Sequence, residues 1–226
     1  MKIELSIPDQ IIQLRHRNSK TQEEVATELG MSRQSYALIE QGTRDISLEE
    51  LRKLAAIFGV TLIDFFIQPT DTEKFAQMFL YIVDRMGSVP KTKLAKLLYL
   101  ADFRNYYETL ESMSGAKYIC REYGPVANVF FELTDELFDQ GKISITPKDR
   151  AQIITSNMRN APTGLLSAEE KLRLDEITDL WKDKLTQEIV HYTHEQKPWR
   201  ATRDGDYIPY ELIIQEDPEH VFAPLT

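Results

Sequence analysis

The chain has 226 residues, above the usual size of one domain and enough for two, and its 42% hydrophobic content supplies real cores and excludes global disorder. Its formal charge of −9, from 27 Lys/Arg against 36 Asp/Glu, argues against a protein that coats nucleic acid indiscriminately. No apolar run approaches the roughly 18–20 residues that cross a membrane, the start MKIELSIPDQ lacks the apolar core of a signal peptide, and a single cysteine, Cys120, excludes an internal disulfide framework. A cytoplasmic protein with no membrane partner is expected.

In residues 1–8, Ile3, Leu5 and Ile7 alternate with polar residues and read as a short extended arm. A helix follows from Asp9, with Ile11, Leu14 and Ile12 as its inward candidates. Thr21 with Glu24 is a capping box that starts a second helix carrying Val25, Ala26 and Leu29 on one face. Gly30 can end that helix, and Ser32 can cap a third one that turns Tyr36 and Ile39 inward. Two helices on so short a turn make a helix-turn-helix, although spacing alone also fits a plain αα-hairpin with a solvated polar face. The third helix leaves Arg33, Gln34, Ala37, Leu38 and Gln41 facing outward, and Arg and Gln are the side chains that bond guanine and adenine edges. Ser47 with Glu50 is another capping box, opening a helix whose inner stripe is read as Leu48, Leu51, Leu54, Ala55 and Phe58, with Gly59 as its stop. The first 67 residues carry eight Lys/Arg against ten Asp/Glu, so DNA affinity has to come from a local patch. Arg33, Arg44, Lys20 and Arg17 are its candidates, and a homodimer would double it.

Residues from about Asp9 to Phe66 resemble the lambda-repressor-like (Cro/C1, XRE) DNA-binding family. The stretches that carry the likeness are Thr21-Gln22-Glu23-Glu24, the turn Gly30-Met31-Ser32 and the close Ile39-Glu40-Gln41-Gly42. The resemblance implies five short helices, with Ser47–Phe58 as the fourth and Thr61–Phe66 as the fifth, and operator DNA as a partner. It places Gln22 against a phosphate and Arg33, Gln34 and Ser35 at the opening of the recognition helix. Leu38, Thr43 and Arg44 complete the expected DNA-facing set, Leu38 standing where the family is usually polar. It also pairs Arg15 with Glu40 internally.

The segment Gln68–Thr72 combines Pro with polar residues and a new helix cap, so the domain boundary is placed there. A helix over about Thr72–Met86 carries Phe75, Met78, Phe79, Ile82, Val83 and Met86 at helical spacing. Ser88-Val89-Pro90 then starts a helix over Lys91–Glu108, with Lys91, Lys93 and Lys96 read as a solvated face, a contact with an acidic partner being the alternative. Tyr99, Phe103, Tyr106 and Tyr107 are too many aromatics for one core stripe. Lys117–Tyr123 reads as a strand broken by Gly124-Pro125, and Val126–Gln140 as a helix. Lys142–Thr146 and Gln152–Thr155 read as two strands around Pro147-Lys148-Asp149. After a polar loop, Ser167 with Glu170 caps a helix carrying Leu172, Leu174, Ile177, Leu180, Trp181 and Leu185. A short helix over about Thr186–Gln196 ends at Lys197-Pro198-Trp199, and Tyr207–Thr226 reads as an extended tail.

Three separated stretches in this half, Lys93–Phe103, Tyr118 with Tyr123-Gly124-Pro125-Val126, and His194-Glu195…Pro198-Trp199, resemble the Panacea domain. That family includes SocA-like antitoxins and phage-associated GepA-like proteins. The expected fold is therefore mainly α with a small β-sheet (α+β). Residues 1–69 form the helix-turn-helix domain, 70–205 the Panacea domain and 206–226 the tail. The resemblance implies a toxin-neutralising module whose partner is a cognate protein toxin, with no catalysis and no cofactor. Physically the three stretches read as fold signatures. Toxin contacts are expected on exposed side chains around them, with Lys96, Arg104, Arg121, Glu122, Tyr123 and Trp199 as candidates.

Glu188, His191, His194 and Glu195 raise the question of a metal. A di-iron bundle needs a second Glu-x-x-His helix, and a zinc protease needs His-Glu-x-x-His; both are absent, so no metal site is expected. There is no glycine-rich phosphate loop, and Cys120 lies mid-strand, where it is read as buried. The leading expectation is the antitoxin of a toxin–antitoxin pair that represses its own operon. A phage or mobile-element transcription regulator without a toxin, and a protease adaptor, are the alternatives.

Overall fold

Thr21 fixes the first landmark of the fold. Its Oγ1 accepts from the Glu24 N–H at 3.3 Å while the Glu24 carboxylate accepts from the Thr21 N–H at 2.7 Å. The computed structural model describes residues 7–65, 72–149 and 151–222. Residues 1–6 of the expected arm and residues 68–71 of the expected boundary therefore lie outside the described residues, as does the side chain of Arg17. The chain divides into two compact units, residues 1–69 and 70–226.

The first unit holds α1 (Ile7–Arg17), α2 (Gln22–Leu29), α3 (Arg33–Glu40) and α4 (Leu48–Phe58), followed by a 3-10 turn over Leu62–Phe65. α1 begins at Ile7, two residues before the expected start. Pro8 sits comfortably there, because first-turn N–H groups have no partner within a helix. Both expected glycine stops take left-handed backbone, φ +77° at Gly30 and +68° at Gly59. One small core unites Ile11, Val25, Leu29, Tyr36, Ile39, Leu51, Leu54, Phe58 and Phe65. Leu48, counted on the inner stripe, instead faces solvent at 58% exposure, because the first residue after the Ser47 cap precedes the packed turn.

The second unit runs α5 (Thr72–Met86), β1 (Ser88–Pro90), α6 (Lys91–Thr109), β2 (Tyr118–Ile119), β3 (Val126–Ala127) and α7 (Phe130–Asp139). It continues with β4 (Ile143–Lys148), β5 (Ala151–Ser156), α8 (Ala168–Trp181), α9 (Thr186–Glu195), α10 (Lys197–Arg200), β6 (Tyr207–Ile208) and α11 (Pro218–Phe222). Two antiparallel sheets result, ordered β1-β5-β4 and β3-β2-β6. α6 is the central rod, buried at every position from Lys93 to Phe103. Apolar residues from α5, α7, α8 and α9 join it in a single core. Asp102 is buried on α6 and accepts from the Ser114 N–H (2.8 Å), Ser114 Oγ (2.6 Å) and Tyr118 Oη (2.8 Å). It thereby ties the following loop and β2 to the rod.

Four readings need correcting here. Ser88–Pro90 leads into the helix at Lys91 as read, with Pro90 at its N-cap, but is also a strand that pairs with β5 in register Val89↔Ile154. The stretch predicted as one helix over Val126–Gln140 begins with β3. The helix begun at Ser167 ends at Trp181, so Leu185 lies beyond it at the N-cap position of α9, and Leu172, within it, points outward (58% exposed). Finally, the expected tail is folded. Ile208 pairs with Tyr118 across β2, and Tyr210 stacks on Phe103 at 4.4 Å and donates to the Ala116 carbonyl at 2.7 Å. Ile208, Ile213 and Val221 are buried, so this segment supplies core that residues before 206 leave open. Among the described residues no helix is long and apolar enough to cross a membrane.

Candidate functional site

In the first unit, α3 carries the candidate nucleic-acid face. Ser32 Oγ accepts from the Ser35 N–H at 3.1 Å, so the opening turn of α3 is fixed, and Arg33 and Gln34 project from it, exposed. At the other end of α3 lies the ion pair that ties it to α1. Arg15 Nε reaches Glu40 Oε1 at 2.6 Å, and Arg15 Nη2 reaches Oε2 at 3.2 Å; the two side chains are 11% and 4% exposed. Burial alone would raise the Glu40 carboxyl, but hydrogen bonds from Arg15 and Gln22 outweigh it and hold the group below its ordinary value. The other expected DNA residues are more constrained. Gln22, expected at a phosphate, instead donates Nε2 to Glu40 at 2.8 Å. Ser35 shares a hydroxyl contact with Ser32 at 3.0 Å, and Thr43 Oγ1 donates to the Leu38 carbonyl at 3.2 Å. Arg44 is paired with Glu50 at 2.7 Å and Lys20 with Glu28 at 2.7 Å. Of the three described cations in the expected patch, Arg33 alone has no ion-pair partner among the described residues. Leu38 is 44% exposed on the same face.

In the second unit, the three signature stretches converge on one glycine. Gly124 has φ +91°, and a Cβ there would lie 2.8 Å from Lys96 Cε, 3.1 Å from Thr193 Oγ1 and 3.2 Å from His194 Nε2. Lys96 comes from α6, Gly124 from the turn between β2 and β3, and Thr193 and His194 from α9. Lys96 Nζ donates to the Pro125 carbonyl at 2.8 Å. The His194 ring stacks on Trp199 at 4.0 Å, and Trp199 Nε1 donates to the Arg121 carbonyl at 3.2 Å. The geometry is that of a lock holding the turn, with Arg121, Glu122 and Tyr123 exposed at its outer rim.

A helix-turn-helix family model matches residues 11–65, and the model of the antitoxin SocA-like Panacea domain matches residues 94–200. An uncharacterized HTH-type transcriptional regulator of Methanocaldococcus jannaschii is 47% identical over 51 residues, which are 23% of this chain and 77% of that protein. The chain belongs to the helix-turn-helix family. Its XRE-type helix-turn-helix domain is followed by a SocA-like Panacea domain, and both families are regulatory rather than enzymatic. No solved structure matches the chain.

The Panacea domain does not expose all the residues expected at its partner surface. Lys96 is only 2% exposed, and burial pushes its amine down to about 7. Arg104 is held by Glu108 at 3.0 Å and by Glu176, with its guanidinium 4.9 Å from the Phe222 ring centroid. Lys93 is likewise buried and donates to the carbonyls of Lys182 (3.2 Å) and Lys184 (2.6 Å). These lysines read as solvated because the carbonyls that receive them come from distant segments. Trp199 is half-buried, which leaves Arg121, Glu122 and Tyr123 as the accessible members of the set. The Glu/His run is divided. Glu188 accepts from the Leu185 N–H at 2.5 Å, His191 lies 3.3 Å from Glu195, and His194 faces Trp199. Cys120 is buried, and burial raises its thiol.

The Lys96 amine gives the Panacea domain a pH dependence of definite sign. Its folded value near 7 lies below the unfolded value of about 10.4. The unfolded chain therefore binds more protons between those limits, and stability rises with pH across that window. The slope approaches about 1.4 kcal/mol per pH unit, with a smaller contribution of the same sign from Lys93, whose amine burial also lowers. Lys96→Met should raise the unfolding free energy at pH 7.5 and flatten the rise toward pH 10. Both tryptophans lie in this domain, so fluorescence-monitored urea unfolding reads it without the helix-turn-helix domain. An unchanged slope would contradict the burial of a neutral amine.

Proposed function

We propose that the chain is the antitoxin of a toxin–antitoxin pair. The Panacea domain masks a cognate protein toxin by direct binding, and the helix-turn-helix domain represses the shared operon. The observation that carries this reading is the union in one chain of an XRE-type domain with a SocA-like antitoxin domain. The exposed opening of α3 supports it. Arg33 and Gln34 are the side chains that reach base edges, Leu38 adds an apolar contact of the kind that meets a thymine methyl, and Ser35, Thr43, Arg44 and the first turn of α2 around Gln22 lie on or beside that face. A homodimer presents two copies of α3 to an operator and doubles the local cationic patch that each one carries. On the Panacea side, Arg121, Glu122 and Tyr123 form the rim available to the toxin, backed by the half-buried Trp199. The protein works in the cytoplasm, where operator and toxin both are, and neutralises without catalysis.

One experiment tests both halves. The full chain and its Arg33→Ala variant are co-expressed with the product of the adjacent reading frame and assayed for operator binding. Arg33→Ala should lose about 1–3 kcal/mol of operator affinity and relax base preference, while rescuing growth as well as the wild type. Failure of the wild type to rescue growth sinks the antitoxin reading. Operator binding by Arg33→Ala as tight as that of the wild type sinks the base-reading assignment.

A further inference from the structure

α7 presents a face that nothing in the described structure covers. Phe130, Leu133, Thr134 and Leu137 turn into the core, whereas Phe131 and Phe138 stand 56% and 49% exposed. The two phenylalanines are seven residues apart, two helical turns or about 10 Å along one ridge, with Asp135 between them. Glu132, Glu136 and Asp139 flank the ridge on its outer side. The acids of the other long helices are largely matched: Lys74 with Glu170, Arg85 with Asp175 and Asp179, Arg104 with Glu176. None of the four α7 acids has an ion pair among the described residues, and Glu136 only accepts from Gln140 at 2.7 Å. α7 itself contains no Lys or Arg. Lys91 touches the ridge from α6, its Nζ 5.3 Å from the Phe131 ring centroid, and closes one end.

Two exposed aromatic rings at i and i+7 fit the knobs of an amphipathic helix laid along the ridge. Four unmatched carboxylates beside them select a partner of opposite charge. A second copy of this chain does not fit, since it would set four acids against four. We propose that the α7 face docks a basic amphipathic helix of the protein partner, with Phe131 and Phe138 as apolar anchors and the carboxylates setting its orientation. The inference rests on the reading of the Panacea domain as a toxin-binding module. It adds a surface distinct from the Arg121–Tyr123 rim and defines the chemistry of what binds there.

The test uses the full chain and its Phe131→Ser/Phe138→Ser double variant, first shown to melt alike. Each is titrated with a synthetic Lys/Leu helix of about 18 residues and with a copy in which Glu replaces Lys. The wild type should bind the Lys peptide one to one, and not the Glu peptide. Binding should weaken with added salt and by at least about tenfold in the double variant. In cells, the wild type should rescue growth from the neighbouring toxin and the double variant should not. Equal peptide binding by the two proteins, or equal rescue, overturns the α7 assignment while leaving the antitoxin reading intact. If the wild type itself fails to rescue, the antitoxin reading falls and the inference with it. A concentration-dependent dimer abolished in the double variant would overturn the proposal in favour of self-association.

Discussion

Glu40→Ala should lower the stability of the helix-turn-helix domain by about 3–5 kcal/mol, the usual result of leaving one partner of a buried pair uncompensated. The Arg15 guanidinium would keep only the Lys20 carbonyl at 3.1 Å and a 3.4 Å contact with His16 Nε2 among the described residues, neither of them an anion, and Gln22 would lose its acceptor. A domain of this size has little stability in reserve, so the variant should be largely unfolded at growth temperature and should not bind operator. The loss arises from an unpaired charge rather than from a missing attraction. Arg15→Met/Glu40→Leu should therefore recover most of it. The pH dependence has a definite sign. The folded carboxyl value is depressed, so its contribution is fully present above the unfolded value of about 4.3 and is lost as pH falls through the lower folded value. The gap between wild type and Glu40→Ala should narrow in acid. The measurement is thermal melting followed by far-ultraviolet circular dichroism, because this domain contains no tryptophan. A Glu40→Ala protein that melts with the wild type would refute the account.

Gly124→Ala should be the most damaging small substitution in the Panacea domain. A left-handed backbone costs an L-residue about 1–2 kcal/mol, and forcing a methyl into packed atoms costs about 1–3 kcal/mol more. Lys96 Cε, 2.8 Å from the position of that methyl, belongs to a side chain pinned by its bond to the Pro125 carbonyl, so it cannot swing away cheaply. Gly205 provides an internal control. Its φ of +87° is almost the same, but nothing lies within 4 Å of its Cβ position. Gly205→Ala therefore carries the backbone term alone. The difference between the two variants in fluorescence-monitored unfolding isolates the crowding term. Equal losses would mean that the three signature stretches do not meet as tightly as described.

Much of the first domain was legible because its signals are local. Capping boxes at Thr21 and Ser47, left-handed glycines at Gly30 and Gly59, and a family motif each lie within a few residues of what they control. The Arg15–Glu40 pair was legible only through the resemblance. The Panacea domain hid more of itself. α6 is buried almost all round, so its lysines lack the amphipathic pattern that would mark them as internal. Their acceptors are carbonyls up to 91 residues away in sequence. β2, β3 and β6 are two residues each, too short for alternation to show, and the β2–β6 pairing is long-range. Arg104 and Lys96 were placed at a partner surface because charge on a helix ordinarily means solvent. The α7 ridge was not singled out either, since only burial distinguishes Phe131 from its neighbour Phe130.

The way residues 206–222 close the second sheet also decides how the domain yields to force. Traction on this segment, as an unfolding motor would apply it, acts on residues that are packed into the domain. Pulled from its C-terminal side, the segment yields α11 first, then draws Ile213 out of the core and Tyr210 off Phe103, and peels β6 from β2 last. With α11 go the hydrogen bonds of the Tyr192 and Gln196 side chains to the His220 carbonyl, which loosens α9. Mechanical unravelling from this side strips residues out of the centre of the domain instead of fraying its margin.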